Sequence, residues 1–320
     1  MPKVLRKAGF GGWIRYVSGN GRVLLNCVAG LLRERGSRLH VTSFYGNSIY
    51  LEAVYVAAAL CLRRQTVLEL RAGGVVEFYQ QGHWIYRAVF RFAVSRAHSV
   101  LVQGSRYLDF LRKLIPHAKI YHYPNFLLNS EFIQRAEQGL PRPPLRLIYF
   151  GRISAAKNIE FILEICTRLN VDFTCDIIGS GSPDYIAHVR GLIATSQLGG
   201  RVRVLPPADR PALQELLSHQ HFFLFPTREP REGHSNALNE AMAAGVVPVA
   251  SNFGFNEEVL GNSSLIVRDW SPDAYAAVIE SIWMSGDWVR VSEELRRKAR
   301  SEFSEGTAQK ILSAAYCGTF

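Results

Sequence analysis

The sequence predicts an α/β protein built from two parallel-sheet domains, and three observations predict it. Short apolar runs alternate with longer amphipathic stretches along the chain, the pattern of strands joined by crossover helices. A stiff, turn-rich segment, Gln138-Gly-Leu-Pro-Arg-Pro-Pro144, interrupts that alternation near its middle. The length of 320 residues suits two domains of ordinary size.

Each element follows from local pattern. Before the linker, His40–Phe44, Thr66–Leu70 and Ser99–Gln103 read as strands, and Lys119–Tyr123 is strand-like before Pro124-Asn125 closes it. Tyr50–Leu62, Phe78–Ala97 and Ser105–Leu114 read as helices. After it, strands are expected at Leu145–Phe150, Phe173–Gly179, Val202–Leu205, His221–Pro226, Val246–Ser251 and Leu265–Val267. Helices fit between them at Ile159–Leu169, Tyr185–Thr195, Pro211–Ser218, Asn236–Ala244 and Pro272–Ser285. Two doubly wound sheets joined in this way leave a cleft between domains, where a ligand is expected. No internal repeat or low-complexity tract is present.

Composition excludes several classes. Hydrophobic residues at 48% and charged residues at 20% can build cores, which argues against disorder. No apolar run reaches membrane-spanning length; Tyr50–Leu62 is short, carries Glu52 and reads as a buried helix. The N-terminus lacks the continuous apolar stretch of a signal peptide. Cys27, Cys61, Cys166, Cys175 and Cys317 are odd in number and scattered, so reduced thiols in a cytoplasmic setting are expected. Charge is uneven: residues 1–140 carry 19 Lys and Arg against 7 Asp and Glu, residues 141–320 carry 18 against 20. The first half is therefore expected to face something anionic, a membrane surface or a lipid-linked phosphate, or else to carry basic residues for solubility. No recognition-helix or aromatic–basic strand pattern points to nucleic acid.

One constellation carries chemistry. The strand Leu145–Phe150 runs into Gly151, whose missing side chain admits a ligand to the backbone, and Arg152 and Lys157 follow before a helix. Two such cations can grip a diphosphate, although basic residues at a helix start are also common on ordinary surfaces. The strand ending at Pro226 leads into a polar loop, Thr227 to Ser235, and then the helix Asn236–Ala244. Ser235 or Asn236 can cap that helix, whose first-turn N–H groups attract phosphate or sugar hydroxyls, with Gly233 leaving the approach open. Glu240 is the lone charge of this helix and needs a partner: a ribose diol, or an internal arginine. Gly179-Ser-Gly181 ends another strand and fits a base or ribose pocket at the same sheet edge.

Together these residues resemble family 4 glycosyltransferases of the GT-B fold. Gly151-Arg152…Lys157-Asn158 is similar to that family's GR…KN loop. Glu232, seven residues and Glu240 are similar to its E-x7-E signature, and Pro124-Asn125 resembles its interdomain PN. Arg71–Tyr79 resembles a segment of polysaccharide-building members, and Glu305–Tyr316 resembles the helix that crosses back to the first domain. The resemblance implies two Rossmann-like domains facing across a cleft: residues 1–140 on the acceptor side, residues 141–304 binding the nucleotide sugar, and residues 305–320 packing back on the first.

It also implies roles. Arg152 and Lys157 neutralise the departing diphosphate, Glu232 contacts the transferred sugar, and these three are the catalytic candidates. Gly151, Gly179, Gly181, Gly233, His234, Ser235, Asn236 and Glu240 bind the donor, Glu240 through the ribose. Transfer retains anomeric configuration by a front-face route distinct from the two-carboxylate hydrolase scheme. The missing Asp-x-Asp motif accords with a site that uses no metal, and the donor is a co-substrate rather than a cofactor. Gly12 falls on the phosphate-facing loop of the first domain, but only Pro2–Ala8 precede its glycines, so that domain is expected to lack its first strand. Arg71 and Ala72 stand where many members place a histidine, so either Arg71 substitutes for it or the position is idle.

The expectation is a hexosyltransferase acting on a saccharide or lipid-linked acceptor in polysaccharide or glycolipid synthesis, cytoplasmic and peripheral on the inner membrane face. The aromatic and arginine-rich stretch Gly82–Arg96 is a candidate contact with anionic lipid. The alternatives are a donor-binding or scaffolding subunit without activity, and another enzyme of the same fold such as a nucleotide-sugar epimerase.

Overall fold

The computed structural model describes residues 9–34, 36–43, 46–71, 73–132, 144–229 and 231–318, with backbone alone for residues 9–20. The chain divides into two compact units, Met1–Pro124 with Gln309–Phe320, and Asn125–Ala308. The division falls at the Pro124-Asn125 step, and the last helix changes unit after Ala308.

The first unit holds a four-stranded parallel sheet in chain order, β1 (Leu39–Ser43), β2 (Thr66–Leu70), β3 (Ser99–Val102) and β4 (Ile120–His122). Five helices precede or join these strands: α1 (Gly9–Arg33), α2 (Ser48–Cys61), α3 (Val75–Gln81), α4 (Trp84–Arg96) and α5 (Ser105–Leu114). β2 and β3 are buried along their whole length, as central parallel strands are. Among the described residues no strand precedes Leu39, and Gly12 lies within α1 instead of on a loop. The helix expected over Phe78–Ala97 is two helices. The chain is extended at Gly82 and restarts at His83, whose Nδ1 accepts from the Ile85 amide at 3.4 Å. A Cβ at Gly82 would stand 2.7 Å from the Phe78 carbonyl oxygen, so the corner suits glycine.

The second unit holds six parallel strands in the order β10-β9-β8-β5-β6-β7. These are β5 (Leu145–Phe150), β6 (Phe173–Ile178), β7 (Val202–Leu205), β8 (Phe222–Phe225), β9 (Val247–Ser251) and β10 (Ile266–Val267). The connecting helices are α6 (Ile159–Arg168), α7 (Pro183–Thr195), α8 (Arg210–Ser218), α9 (Asn236–Ala243), α10 (Asn256–Leu260), α11 (Pro272–Ser285) and α12 (Trp288–Glu302), followed by α13 (Glu305–Cys317). The short α10 and the long α12 are additions to the elements read from sequence. Caps mark two starts: Ser182 accepts from the Tyr185 amide before α7, and Asp209 from the Ala212 amide before α8.

The strand order creates the site. From β5 the chain winds through β6 to β7 on one side, then returns to β8 and winds outward through β9 to β10. β5 and β8 are neighbours, with Leu147 opposite Phe222 and Ile148 opposite Phe223. Loops leaving their carboxyl ends diverge, which opens a crevice at the switch point of an open α/β sheet.

Candidate functional site

The two loops at that switch point are Gly151–Asn158 after β5 and Thr227–Ser235 after β8. The first is shaped by its neighbour β6. The Gly151 amide donates to the Ile178 carbonyl at 3.0 Å and the Ile153 amide to the Ser180 carbonyl at 2.8 Å. Gly179 and Gly181 are what allow this: a Cβ at Gly179 would lie 1.7 Å from the Gly151 oxygen, and one at Gly181 would lie 2.2 Å from the Ile153 oxygen. Their first role is thus loop-on-loop packing. Tyr149, buried at the end of β5, donates its hydroxyl to the Arg152 carbonyl at 2.7 Å and fixes the turn from below. Burial raises that phenol's pKa, so it stays a donor.

A short 3-10 turn, Ala155–Lys157, then lifts Lys157 toward the β8 loop, and Asn158 ends it with a left-handed backbone, φ +59°. The Arg228 amide donates to the Ala156 carbonyl at 2.9 Å and ties the two loops together. Lys157 Nζ pairs with the Glu232 carboxylate and sits 5.2 Å from the centre of the Phe225 ring. The pair is largely withdrawn from water, with side chains 16% and 12% exposed. Thr227 Oγ1 donates to Glu232 Oε2 at 3.0 Å, so the carboxylate has two partners on its site face. Gly254, after β9, lies against it from behind, where a Cβ would meet the Glu232 carbonyl oxygen at 2.3 Å.

The structure brings Lys157 and Glu232 together. Arg152 is exposed and makes no ion pair among the described residues. Asn236 is the first residue of α9, and Gly233 lies in the loop three residues before it. Ser235 holds the N-cap position without a side-chain cap bond. The His234 ring is turned inward: it is buried, packed edge-on to Phe303 at 4.8 Å, and its Nε2 faces Asn239 Oδ1 at 2.9 Å. Asn239 Nδ2 donates to the Asn125 carbonyl at 2.9 Å and Asn125 Nδ2 to the His234 carbonyl at 2.7 Å, a closed lock on the loop's last turn.

Glu240 lines a narrow pocket of about 20 Å³ with Glu131, Arg210 and Gln214. Arg210 Nη2 pairs with Glu131 Oε1 at 3.2 Å. Of the two partners considered from sequence, the internal arginine lines the same pocket. Burial, and then the charge of Glu131, push the Glu240 carboxyl up to about 7, with Arg210 opposing. Unfolded, this group ionises near 4.5; folded, it keeps its proton longer, so its contribution to stability is full below 4.5 and lost as pH rises to about 7. Glu240→Gln should therefore melt higher than wild type at pH 8, by about 1–3 kcal/mol, and alike at pH 4. Thermal melts at the two pH values measure it; an equal difference at both would contradict the assignment.

Arg71 is committed within the first unit. Its guanidinium pairs with Glu69 and stands 5.4 Å from the Tyr123 ring centre. Glu69 also accepts from Thr42 at 3.1 Å and meets His40 at 3.0 Å, and His40 meets the Tyr316 hydroxyl at 2.7 Å. Burial pushes the Glu69 carboxyl up, but His40 and Arg71 outweigh it and hold it below the ordinary range.

Sequence reading missed Thr227 and Gly254. Both lie within three residues of the end of an apolar strand, at the sheet's carboxyl edge, and that position was the available signal. Beside the site, Gly179, Gly181, Arg190 and Pro206 line an open groove of about 630 Å³ beyond β6 and β7.

Comparison with known proteins bears on this arrangement directly. Residues 144–285 match the family described as Glycosyl transferases group 1, and they contain both switch-point loops. That stretch of the chain is similar to a group 1 glycosyltransferase domain. A D-inositol 3-phosphate glycosyltransferase of Jonesia denitrificans is 27% identical over 184 residues, 54% of this chain and 42% of that protein. A capsular polysaccharide biosynthesis glycosyltransferase, CapH, of Staphylococcus aureus is 27% identical over 153 residues, 46% of this chain and 40% of that one. The chain thus matches about two-fifths of the length of these curated relatives. Among solved structures, HepE of Anabaena in complex with UDP superposes with a TM-score of 0.72 at 15% identity, covering 93% of this chain and 82% of that chain. Sucrose-phosphate synthase from Thermosynechococcus elongatus gives 0.66 at 21% identity, covering 87% and 73%. The fold is GT-B.

Proposed function

We propose that the protein is a retaining hexosyltransferase that moves a sugar from a nucleoside-diphosphate sugar to a saccharide or lipid-linked acceptor. The Lys157–Glu232 pair at the switch point of a group 1 domain carries this reading. A cation and an anion held side by side match the two halves of such a donor. When the donor enters, its diphosphate takes Lys157 and the exposed Arg152, and Glu232 turns to hydroxyls of the sugar. Negative charge grows on the diphosphate as the glycosidic bond breaks, so these cations stabilise the transition state more than the ground state. Gly233 and the first turn of α9 offer backbone N–H groups to the same charge, and the groove beyond Gly179 and Gly181 takes the base.

Glu232 and Glu240 form the E-x7-E pair in this reading, with Glu240 reaching the ribose only once Arg210 and Glu131 swing aside. No step needs a metal ion. HepE has been crystallised with UDP and with UDP-glucose, which supports a uridine donor, and the resemblance to CapH supports polysaccharide assembly. The acceptor lies with the first unit, at the cytoplasmic face of a membrane.

A thermal-shift screen against uridine, guanosine and adenosine diphosphate sugars tests the donor. The fitting one stabilises the fold by about 2.7 kcal/mol at a hundred times its Kd, and release of nucleoside diphosphate on adding acceptor then shows transfer. A chain that no nucleotide sugar stabilises does not bind a donor here. Stabilisation without release identifies the non-catalytic subunit instead.

A further inference from the structure

Three helices of the first unit share an unusual surface. α1 packs on α2, and α2 packs on α4. α2 and α4 also lie against the sheet, burying Ile49, Ala53 and Val56 from one, and Tyr86, Phe90 and Ala93 from the other. Their outer stripes should therefore be polar, as on an ordinary water-facing helix. They are not. α4 exposes Trp84, Ile85 and Phe92, with Trp84 69% accessible. α2 exposes Tyr50, Val54 and Leu60. α1 exposes Val23, Leu25 and Leu32, with Leu25 71% accessible. Only Leu128, Trp270 and Met284 are comparably exposed among the other described residues. Single exposed apolar side chains need no explanation, whereas nine on three adjoining helices do.

The charges on the same helices say what covers this face. Arg22 and Arg33 on α1 and Arg87, Arg91 and Arg96 on α4 are exposed. α1 and α4 contain no acidic residue, and the single carboxylate of α2, Glu52, is buried. A second copy of the chain docking here would set arginines against arginines with no carboxylate between them, which disfavours a symmetric dimer. A surface that is apolar within and negative at its rim satisfies both features at once: aromatic and aliphatic side chains enter the headgroup boundary while arginines meet lipid phosphates. No helix among the described residues is long and apolar enough to cross a membrane, so the contact is an interfacial one.

We infer that the outer face of α1, α2 and α4 is a docking surface for anionic phospholipid, with Trp84, Phe92 and Leu25 inserting and Arg22, Arg91 and Arg96 binding headgroups. This deepens the membrane-side reading of the proposed function by naming the surface. It makes the first unit the membrane-bound one and accounts for the charge asymmetry between the halves of the chain.

Flotation of the full chain with phosphatidylcholine vesicles, with and without phosphatidylglycerol, tests it. The protein should float with the anionic vesicles only, and rising salt should release it. Arg91→Gln with Arg96→Gln should weaken binding by about fivefold per charge removed, and Trp84→Ser with Leu25→Ser should abolish flotation. All four positions are exposed, so the variants should melt with wild type and turn over a short, water-soluble acceptor at the wild-type rate. Equal flotation with both vesicle types overturns the inference. So does a dimer in sedimentation velocity that Trp84→Ser dissociates, which would make the face a self-interface. Lipid-dependent flotation without turnover of any acceptor would leave this surface standing while removing the transferase reading.

Discussion

Lys157→Ala should lower kcat/KM for donor turnover by about 10²–10³-fold, the effect of removing one preorganised charge from a site where charge develops. Lys157 has no substitute of equal placement. Arg152 lies on the same loop but is exposed, and Arg228 stacks on Trp270, 4.3 Å from the ring centre. Glu232→Ala should cost a similar factor for a different reason, since it removes the sugar contact and leaves Lys157 to face Phe225 alone. Because each side chain holds the other in place, the losses should overlap. The double variant should be at most about tenfold worse than the poorer single one, as for residues that act as a unit. Steady-state kinetics of the three variants, with melting temperatures alongside, measure this. Wild-type turnover in either single variant would remove the site assignment.

The second large effect is structural. Gly179→Ala places a Cβ 1.7 Å from a backbone oxygen, at a residue with φ of +153°. The clash is with main chain that two amide bonds hold, so no side-chain rotation relieves it. Overpacking and backbone strain together should cost at least about 3 kcal/mol, a fall in melting temperature of about 6–12 °C for a domain of this size. Donor stabilisation should vanish with it, because moving Gly151 also moves Arg152 and Lys157. Gly199→Ala, with open space around its Cβ position, is the matched control and should leave both properties unchanged. A Gly179→Ala protein that melts with wild type would refute the packing argument.

Much of the fold was legible because strands and helices here are locally consistent. β2, β5 and β7 and helices α5 and α11 fall where hydrophobic period and flanking turns place them. The exceptions have local causes. Gly82 and His83 break what reads as one amphipathic helix, because a corner satisfied by backbone packing leaves no trace in periodicity. α12 was overlooked for its strongly charged character, although it buries Trp288, Val291 and Leu295 along one side.

The sequence alone determined the chemistry on offer: a glycine turn followed by two cations, a carboxylate ahead of a helix start, and a basic first half. It could not determine which of these meet. Lys157 and Glu232 are 75 residues apart in the chain and become partners only because β5 and β8 lie side by side, a pairing set by strand order rather than by either loop. The same order carries Glu240, one turn further along α9, to Glu131 and Arg210. The His234 side chain meets Asn239 and Phe303. Residue type is a local property, whereas the company a side chain keeps depends on how long-range strand pairing and packing divide the buried space, and that is decided only when the sheet is complete.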